Sequence, residues 1–406
     1  MSLQKSTCSL DISLLPEFGW SIKDQPVYGP GSVFQGIVKL KLLSRVPNIE
    51  KVKLSFRAYE CIPPFEISPG VLRKARSNLF AVQRTLWSAK CDGAAKKFEA
   101  NSEYTFPFTI QMALLQLPPS ANHPAYQCKY QLVASLETSK ENDAQSAINT
   151  SVQCSKDVLY MPYIETKLLK KPILLEARRG HLSVHAEISS FDYVPNDTIP
   201  ITMSVSSFKM DRKSPFKYVT IQAKLVRVVQ VIAFEGIKDH VETVKVNLHK
   251  MLLISCPAEN HSNDIQNTPC HNNDQHLYCC KATISLHIPA DVTPNVDYGR
   301  LAQIRYKLQL SVQQKGPMGG IWNYNTKLED IPLNIGTLGY GIGVSPDLKF
   351  YSKYYPAPAS SYQSNRNVPN SHMPTPMFMK AIEYEDALPL YEPHRLPTYS
   401  ASQLTV

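Results

Sequence analysis

The sequence predicts an all-β protein, two tandem β-sandwiches followed by a disordered tail. Three observations carry this. Short runs of alternating apolar and polar residues recur through the first 337 residues, broken by Gly, Pro and Asn. Proline outnumbers glycine, 31 against 16, which argues against long helical repeats and coiled coils. A turn of one type precedes a strand in each half of the region. The length of 406 residues fits two to three domains, and an apolar content of 43% is enough for a sizeable core.

The alternating runs come in order. Gly36 to Leu42 reads Gly-Ile-Val-Lys-Leu-Lys-Leu, and Val52 to Phe56 reads Val-Lys-Leu-Ser-Phe. Tyr130 to Leu136 and His181 to Ile188 follow the same period, as do Ile199 to Val205, Val219 to Val226, Thr283 to Ile288 and Ile304 to Val312. Few stretches offer ten or more residues of amphipathic helix, and Val71 to Leu86 is the best candidate. The seam between the halves falls near Tyr160-Met161-Pro162-Tyr163, which gives residues 1–160 and 161–337 as the two domains. Residues 338–406 hold 9 of the 31 prolines, Ser/Asn clusters and no sustained period, and read as a disordered tail.

The shared turn is Tyr28-Gly29-Pro30-Gly31-Ser32 in the first half and Tyr193-Val194-Pro195-Asn196-Asp197 in the second. A type II turn with Pro at its second position needs positive φ at the third, which Gly and Asn tolerate best. Gly31 and Asn196 occupy that place.

These turns also carry a resemblance. Tyr28-Gly29-Pro30-Gly31 with Gly36-Ile37-Val38, Glu103 to Phe108, Leu117 to Ser120 and Tyr130-Gln131-Leu132 resemble the arrestin N-terminal domain. Tyr193-Val194-Pro195, Ile199-Pro200-Ile201, His287-Ile288-Pro289, Ile304 to Leu308 and Ile331 to Thr337 resemble the arrestin C-terminal domain. The order and spacing of these islands, from Asp11 to Thr337, are more specific than any one of them. The resemblance implies two immunoglobulin-like sandwiches of arrestin N and arrestin C type. The charged polar-core residues of visual and β-type arrestins are not assignable here, and the α-arrestins are the nearer kin.

The sharpest functional signal is in the tail. Leu388-Pro389-Leu390-Tyr391 and Leu396-Pro397-Thr398-Tyr399 are two copies of a Leu-Pro-x-Tyr motif, with Leu388, Pro389, Tyr391, Leu396, Pro397 and Tyr399 as the contact residues. Proline holds φ near −65° and favours the extended polyproline conformation, so less chain entropy is lost on docking to an aromatic groove. WW domains bind such segments. The resemblance to α-arrestins implies recruitment of a WW-domain HECT ubiquitin ligase to a membrane transporter or receptor cargo, for ubiquitin-dependent endocytosis and sorting. It places the protein in the cytoplasm, peripheral at the plasma membrane and endosomes. The alternative is an arrestin-fold scaffold that sorts cargo without ubiquitin, in the manner of retromer.

Basic residues cluster from Arg73 to Lys97, namely Arg73, Lys74, Arg76, Arg84, Lys90, Lys96 and Lys97. In an arrestin-like domain they fall in cargo-facing loops, where Arg73, Lys74, Arg76 and Arg84 would meet anionic lipid or an acidic cargo tail, or simply stay solvated. A second cluster, Lys167, Lys170, Lys171, Arg178 and Arg179, reads as a solvated connection. The stretch with Cys256, His261, Cys270, His271, His276, Cys279 and Cys280 contains zinc-ligand types, but no Cys-x2-Cys pair, and reads as a polar loop insertion without metal.

Other classes are disfavoured. The glycine-rich phosphate loop, Gly-x-Ser-x-Gly and His-Glu-x-x-His are all missing, so neither an enzyme nor a cofactor is expected. No apolar run approaches about 18 residues, the length a transmembrane helix needs. The first fifteen residues lack the order of a signal peptide, and the nine cysteines therefore read as reduced thiols. A net charge of +9 does not by itself argue for nucleic acid.

Overall fold

A computed structural model describes residues 8–15, 20–68, 70–89, 98–138, 149–167, 171–207, 218–234, 239–256, 277–314, 324–354 and 373–379. The first half forms β1 (Cys8–Leu14), β2 (Ser21–Ile22), β3 (Gln25–Tyr28), β4 (Val33–Leu42), β5 (Ile49–Ser68), β6 (Val71–Ser88), β7 (Ser102–Gln111), β8 (Leu115–Gln116), β9 (Ala121–His123), β10 (Tyr126–Thr138) and β11 (Asn149–Tyr160). The second forms β12 (Ile173–Arg179), β13 (Leu182–Ile188), β14 (Asp192–Tyr193), β15 (Thr198–Ser207), β16 (Tyr218–Val231), β17 (His240–Leu252), β18 (Ile254–Cys256), β19 (Leu277–His287), β20 (Ala302–Gln314), β21 (Tyr324–Lys327) and β22 (Ile331–Ile335). Two short strands follow, β23 (Lys349–Phe350) and β24 (Met377–Met379).

Each half is a pair of sheets. The first stacks β1-β4-β7-β24 on β2-β3-β11-β10-β5-β6, and the second stacks β12-β13-β15-β19-β18 on β14-β22-β20-β16-β17. The all-β double sandwich is therefore as the sequence predicts. The alternating runs lie on β4, β5, β10, β13, β15, β16, β19 and β20, with only His181 and Ile288 just past a strand end. In β4 the alternation buries Phe34, Val38, Leu40 and Leu42 and leaves Gln35 and Lys41 exposed. The first core is aromatic: Phe34 meets Phe56, Phe56 meets Phe80, and Tyr130 stacks on Tyr160 at 4.8 Å. The second is mainly aliphatic, with Ile199, Ile201, Ile221, Leu225, Leu308 and Leu310 fully buried.

The shared turn marks an internal repeat. Gly31 has φ 72° and Asn196 φ 74°. The closing bonds are equivalent: Ser32 N donates to the Gly29 carbonyl at 3.3 Å and Asp197 N to the Val194 carbonyl at 3.1 Å. Just before each turn a short strand runs parallel to a strand near the end of its sandwich, β11 or β22, with Tyr28 opposite Tyr160 and Tyr193 opposite Ile335. Met161 N then bonds the Tyr28 carbonyl, and Gly336 N the Tyr193 carbonyl, both at 2.9 Å. Replacing Asn196 by alanine should cost about 1–2 kcal/mol, because a Cβ residue without a polar side chain is strained at this φ. Asn196→Gly should be near neutral. Urea unfolding of the two variants checks the contrast.

Two expectations are corrected. Val71 to Leu86 is not a helix but most of β6, one arm of a long hairpin with β5. Its register slips between Ala58 and Tyr59 and between Val52 and Lys53 of β5, leaving Leu79 and Leu86 as extra residues. Those bulges interrupt the period of two and imitate helical spacing. The tail also does not begin at 338 as a disordered segment. Residues 338–354 form an ordered strap, and residues 373–379 carry β24.

Candidate functional site

The strap organises the joint between the two sandwiches. After β22 the Thr337 hydroxyl donates to the Pro162 carbonyl at 2.6 Å and accepts from Ile164 N at 2.8 Å. Thr166 Oγ1 donates to the Leu338 carbonyl, and Val344 N donates to the Glu165 carboxylate. The linker after β11 is thus held by the chain that leaves the second sandwich. The strap then reaches the first sandwich, where β23 pairs parallel with β8, Phe350 opposite Gln116. A single 3-10 turn, Tyr351–Lys353, follows and inserts Tyr351 between the halves.

Tyr351 meets a buried carboxylate. Glu60 lies on the inward-facing register of β5 and is 0% exposed. Its Oε1 accepts from the Tyr126 hydroxyl at 2.8 Å and its Oε2 from the Tyr351 hydroxyl at 3.0 Å. Arg300 N, from the second sandwich, donates to the Tyr351 oxygen at 2.6 Å. The Arg300 guanidinium reaches Ser77 Oγ of β6 at 3.5 Å. Burial pushes the Glu60 carboxyl above the usual carboxylate range; the two phenols, the Arg300 charge and a Leu301 backbone bond oppose it. The Tyr126 and Tyr351 hydroxyls are pushed up by the same burial and stay protonated as donors. One strap residue therefore joins both sandwiches through a hydrogen-bonded acid. Tyr298 adds an aromatic lid, 4.6 Å from the Phe350 ring, and donates to the Leu117 carbonyl at 3.1 Å.

Further contacts cross the joint, among them an ion pair of Lys23 with Asp291 at 2.5 Å. Near the tip of the β5–β6 hairpin, Phe65 packs on Phe234 of the second sandwich at 5.5 Å, with the Arg73 guanidinium 5.8 Å from the same ring. At the end of β9, His123 Nε2 donates to Glu242 at 3.0 Å while its Nδ1 accepts from Ala125 N. Arg227 Nη2 donates to the same oxygen of Glu242, Oε2, at 2.6 Å and keeps that carboxyl below its usual range.

Burial, then the nearby Arg227 charge and His240, push the His123 imidazole below its ordinary 6.5, against the pull of Glu242. The unfolded chain therefore takes up a proton here before the folded one. The stabilisation is complete above pH 6.5 and is lost as pH falls through the lowered folded value. His123→Gln keeps a donor for Glu242 and an acceptor for Ala125 N. The difference between wild type and H123Q in urea midpoint should grow from near zero at pH 7.5 as pH falls to 5, in favour of the variant.

The predicted basic patch lies on a strand, with Arg73, Lys74 and Arg76 exposed. Arg73, Lys74, Arg76 and Arg84 are strand residues of β6, not loop residues. Arg76 stacks on Tyr59 at 3.9 Å, Arg73 faces Phe234, and the Arg84 guanidinium donates to the Met379 carbonyl of β24. Lys74 is exposed. Lys90, Lys96 and Lys97 lie outside the described residues, as do Lys170 and both Leu-Pro-x-Tyr motifs. Of the second cluster, Arg179 donates to the Asn325 carbonyl at 2.6 Å. In the Cys/His-rich stretch His261, Cys270, His271 and His276 are outside the described residues. Cys279 is disulfide-bonded, so the expectation of uniformly reduced thiols does not hold; Cys61, Cys128, Cys154 and Cys280 are free. Sequence reasoning missed the joint altogether. Glu60, at an inward position of β5 four residues past the Val52 to Phe56 run, was an available signal.

Residues 178–340, from β12 into the strap, match the family model of the arrestin (or S-antigen) C-terminal domain. This supports arrestin-family membership. The match ends at Tyr340, whose hydroxyl donates to Asp197 at 2.7 Å in the proline turn of the matched region. No curated protein matches the chain. No helix among the described residues is long and apolar enough to cross a membrane.

Proposed function

We propose that the protein is a ubiquitin-ligase adaptor, in which residues 1–160 and 161–337 form the cargo-holding body and the tail recruits a WW-domain HECT ligase. The observation that carries this reading is the pair of Leu-Pro-x-Tyr motifs at 388–391 and 396–399 of a chain with an arrestin C-terminal domain. The body does no chemistry in this reading. It raises the local concentration of ligase near lysines of a membrane transporter or receptor. The protein then works in the cytoplasm, at the plasma membrane and endosomes. Arg73, Arg76 and Arg84 have intramolecular partners, so cargo or lipid contact through them requires those contacts to be shared or broken.

The test is capture of the full chain on an immobilised WW domain. Wild type should be retained and the Tyr391→Ala, Tyr399→Ala double variant should pass through. Equal retention of both would remove the ligase from the proposal and leave sorting without ubiquitin as the reading.

A further inference from the structure

The two sandwiches close one equivalent edge in different ways. By strand order, β4 and β7 of the first correspond to β15 and β19 of the second. In the second sandwich the strand beyond β19 is β18, which directly follows β17 in the chain. In the first sandwich the place beyond β7 is taken by β24, from the far end of the sequence. Met377, Phe378 and Met379 pair antiparallel with Gln111, Ile110 and Thr109. The alternation turns Phe378 inward, half-buried against the core beside the buried Ile110, and leaves Met377 and Met379 outward and exposed. The Arg84 guanidinium on the neighbouring β6 donates to the Met379 carbonyl. A three-residue strand so held closes an edge that would otherwise offer unpaired backbone groups.

We propose that β24 anchors the motif-bearing tail to the β7 edge, so that a ligase bound at Leu388–Tyr399 is held beside the first sandwich. This rests on the ligase-recruiting reading above. About nine residues separate Met379 from Leu388, whereas about 34 separate Tyr354, the end of the strap, from Leu388. Nine residues reach at most about 30 Å. The antiparallel register points the chain leaving Met379 toward the Ser102 end of β7, where Lys39 and Lys41 of β4 lie opposite Thr105 and Glu103. Local concentration falls roughly as the three-halves power of tether length, so docking β24 raises it about sevenfold over a tail free from Tyr354 onward.

The experiment uses the full chain and two variants, Phe378→Asp and Arg84→Ala, each checked by far-ultraviolet circular dichroism. Amide hydrogen exchange should show protection at 377–379 in wild type and its loss in F378D, with a partial loss in R84A. An isolated WW domain should bind all three proteins equally. Cross-linking of that bound domain to Lys39 and Lys41 by a short amine-reactive reagent, mapped by mass spectrometry, should fall about sevenfold in F378D. Unprotected amides at 377–379 in wild type would overturn the anchor, and so would equal cross-linking in wild type and F378D. Failure of the WW domain to bind any of the three would instead overturn the ligase reading, and the exchange data would still judge the strand pairing.

Discussion

Replacing Tyr351 by alanine is expected to lower the unfolding free energy by about 3–5 kcal/mol, the usual cost of deleting a large buried ring. The side chain is fully buried between the sandwiches and lies 6.2 Å from the Tyr298 ring. Tyr351→Phe separates the ring from the hydroxyl. It keeps the packing, takes one donor from the Glu60 carboxylate and removes the acceptor of Arg300 N. That loss should cost about 1–3 kcal/mol. The pH dependence has a definite sign. The folded Glu60 carboxyl is already raised, so its contribution is complete below the unfolded value of 4.5 and declines as pH rises through the folded value. Losing a donor raises it further, so Tyr351→Phe should lose more stability at pH 8 than at pH 5. Urea unfolding at the two pH values measures both effects. Small-angle scattering should show a larger radius of gyration for Tyr351→Ala if the strap holds the halves together. Variants within about 0.5 kcal/mol of wild type and of unchanged radius would remove the joint as a structural lock.

The second large effect concerns the motifs. A tyrosine that fills an aromatic-lined pocket is expected to be worth at least about 2 kcal/mol on truncation, or roughly thirtyfold in affinity. Loss of both Tyr391 and Tyr399 should therefore abolish measurable binding to a ligase fragment with tandem WW domains. The single variants are more informative. The motifs are eight positions apart and span at most about 26–29 Å, while a WW domain of about 35 residues is about 22 Å across by compact-chain scaling. Two domains barely fit side by side. If one domain rebinds to either copy, each single variant loses about twofold. If two domains bind at once, each loses about a hundredfold or more. Titration calorimetry of wild type, both single variants and the double variant distinguishes these, and full binding by the double variant would end the recruiting role.

Legibility followed the physics of each signal. A strand declares itself locally, because side chains alternate between faces and the buried face must be apolar. That is why Gly36 to Leu42 and Ile304 to Val312 are readable, and why a proline followed by Gly31 or Asn196 marks a turn. The same rule fails where bulges at Leu79 and Leu86 put two apolar residues in succession and imitate a helix. Composition fails in the strap, since proline and serine content describes a segment's own preferences and not the partners that hold it. Thr337, Tyr340 and Tyr351 are ordered by bonds to Pro162, Asp197 and Glu60, all more than a hundred residues away in the chain.

By itself, then, the amino-acid order determined the all-β architecture, the two repeated proline turns and the pair of proline–tyrosine motifs. Each of these is a short-range pattern with its own chemical reason. Tertiary structure alone decided that a tail residue would complete a hydrogen-bonded acid between the sandwiches. It also decided that Met377–Met379 would close an edge of the first. Edge completion and buried-acid pairing depend on which free backbone groups and donors meet once both cores have formed. No local spacing encodes that meeting, because its members are brought together only by the packed geometry of the whole chain.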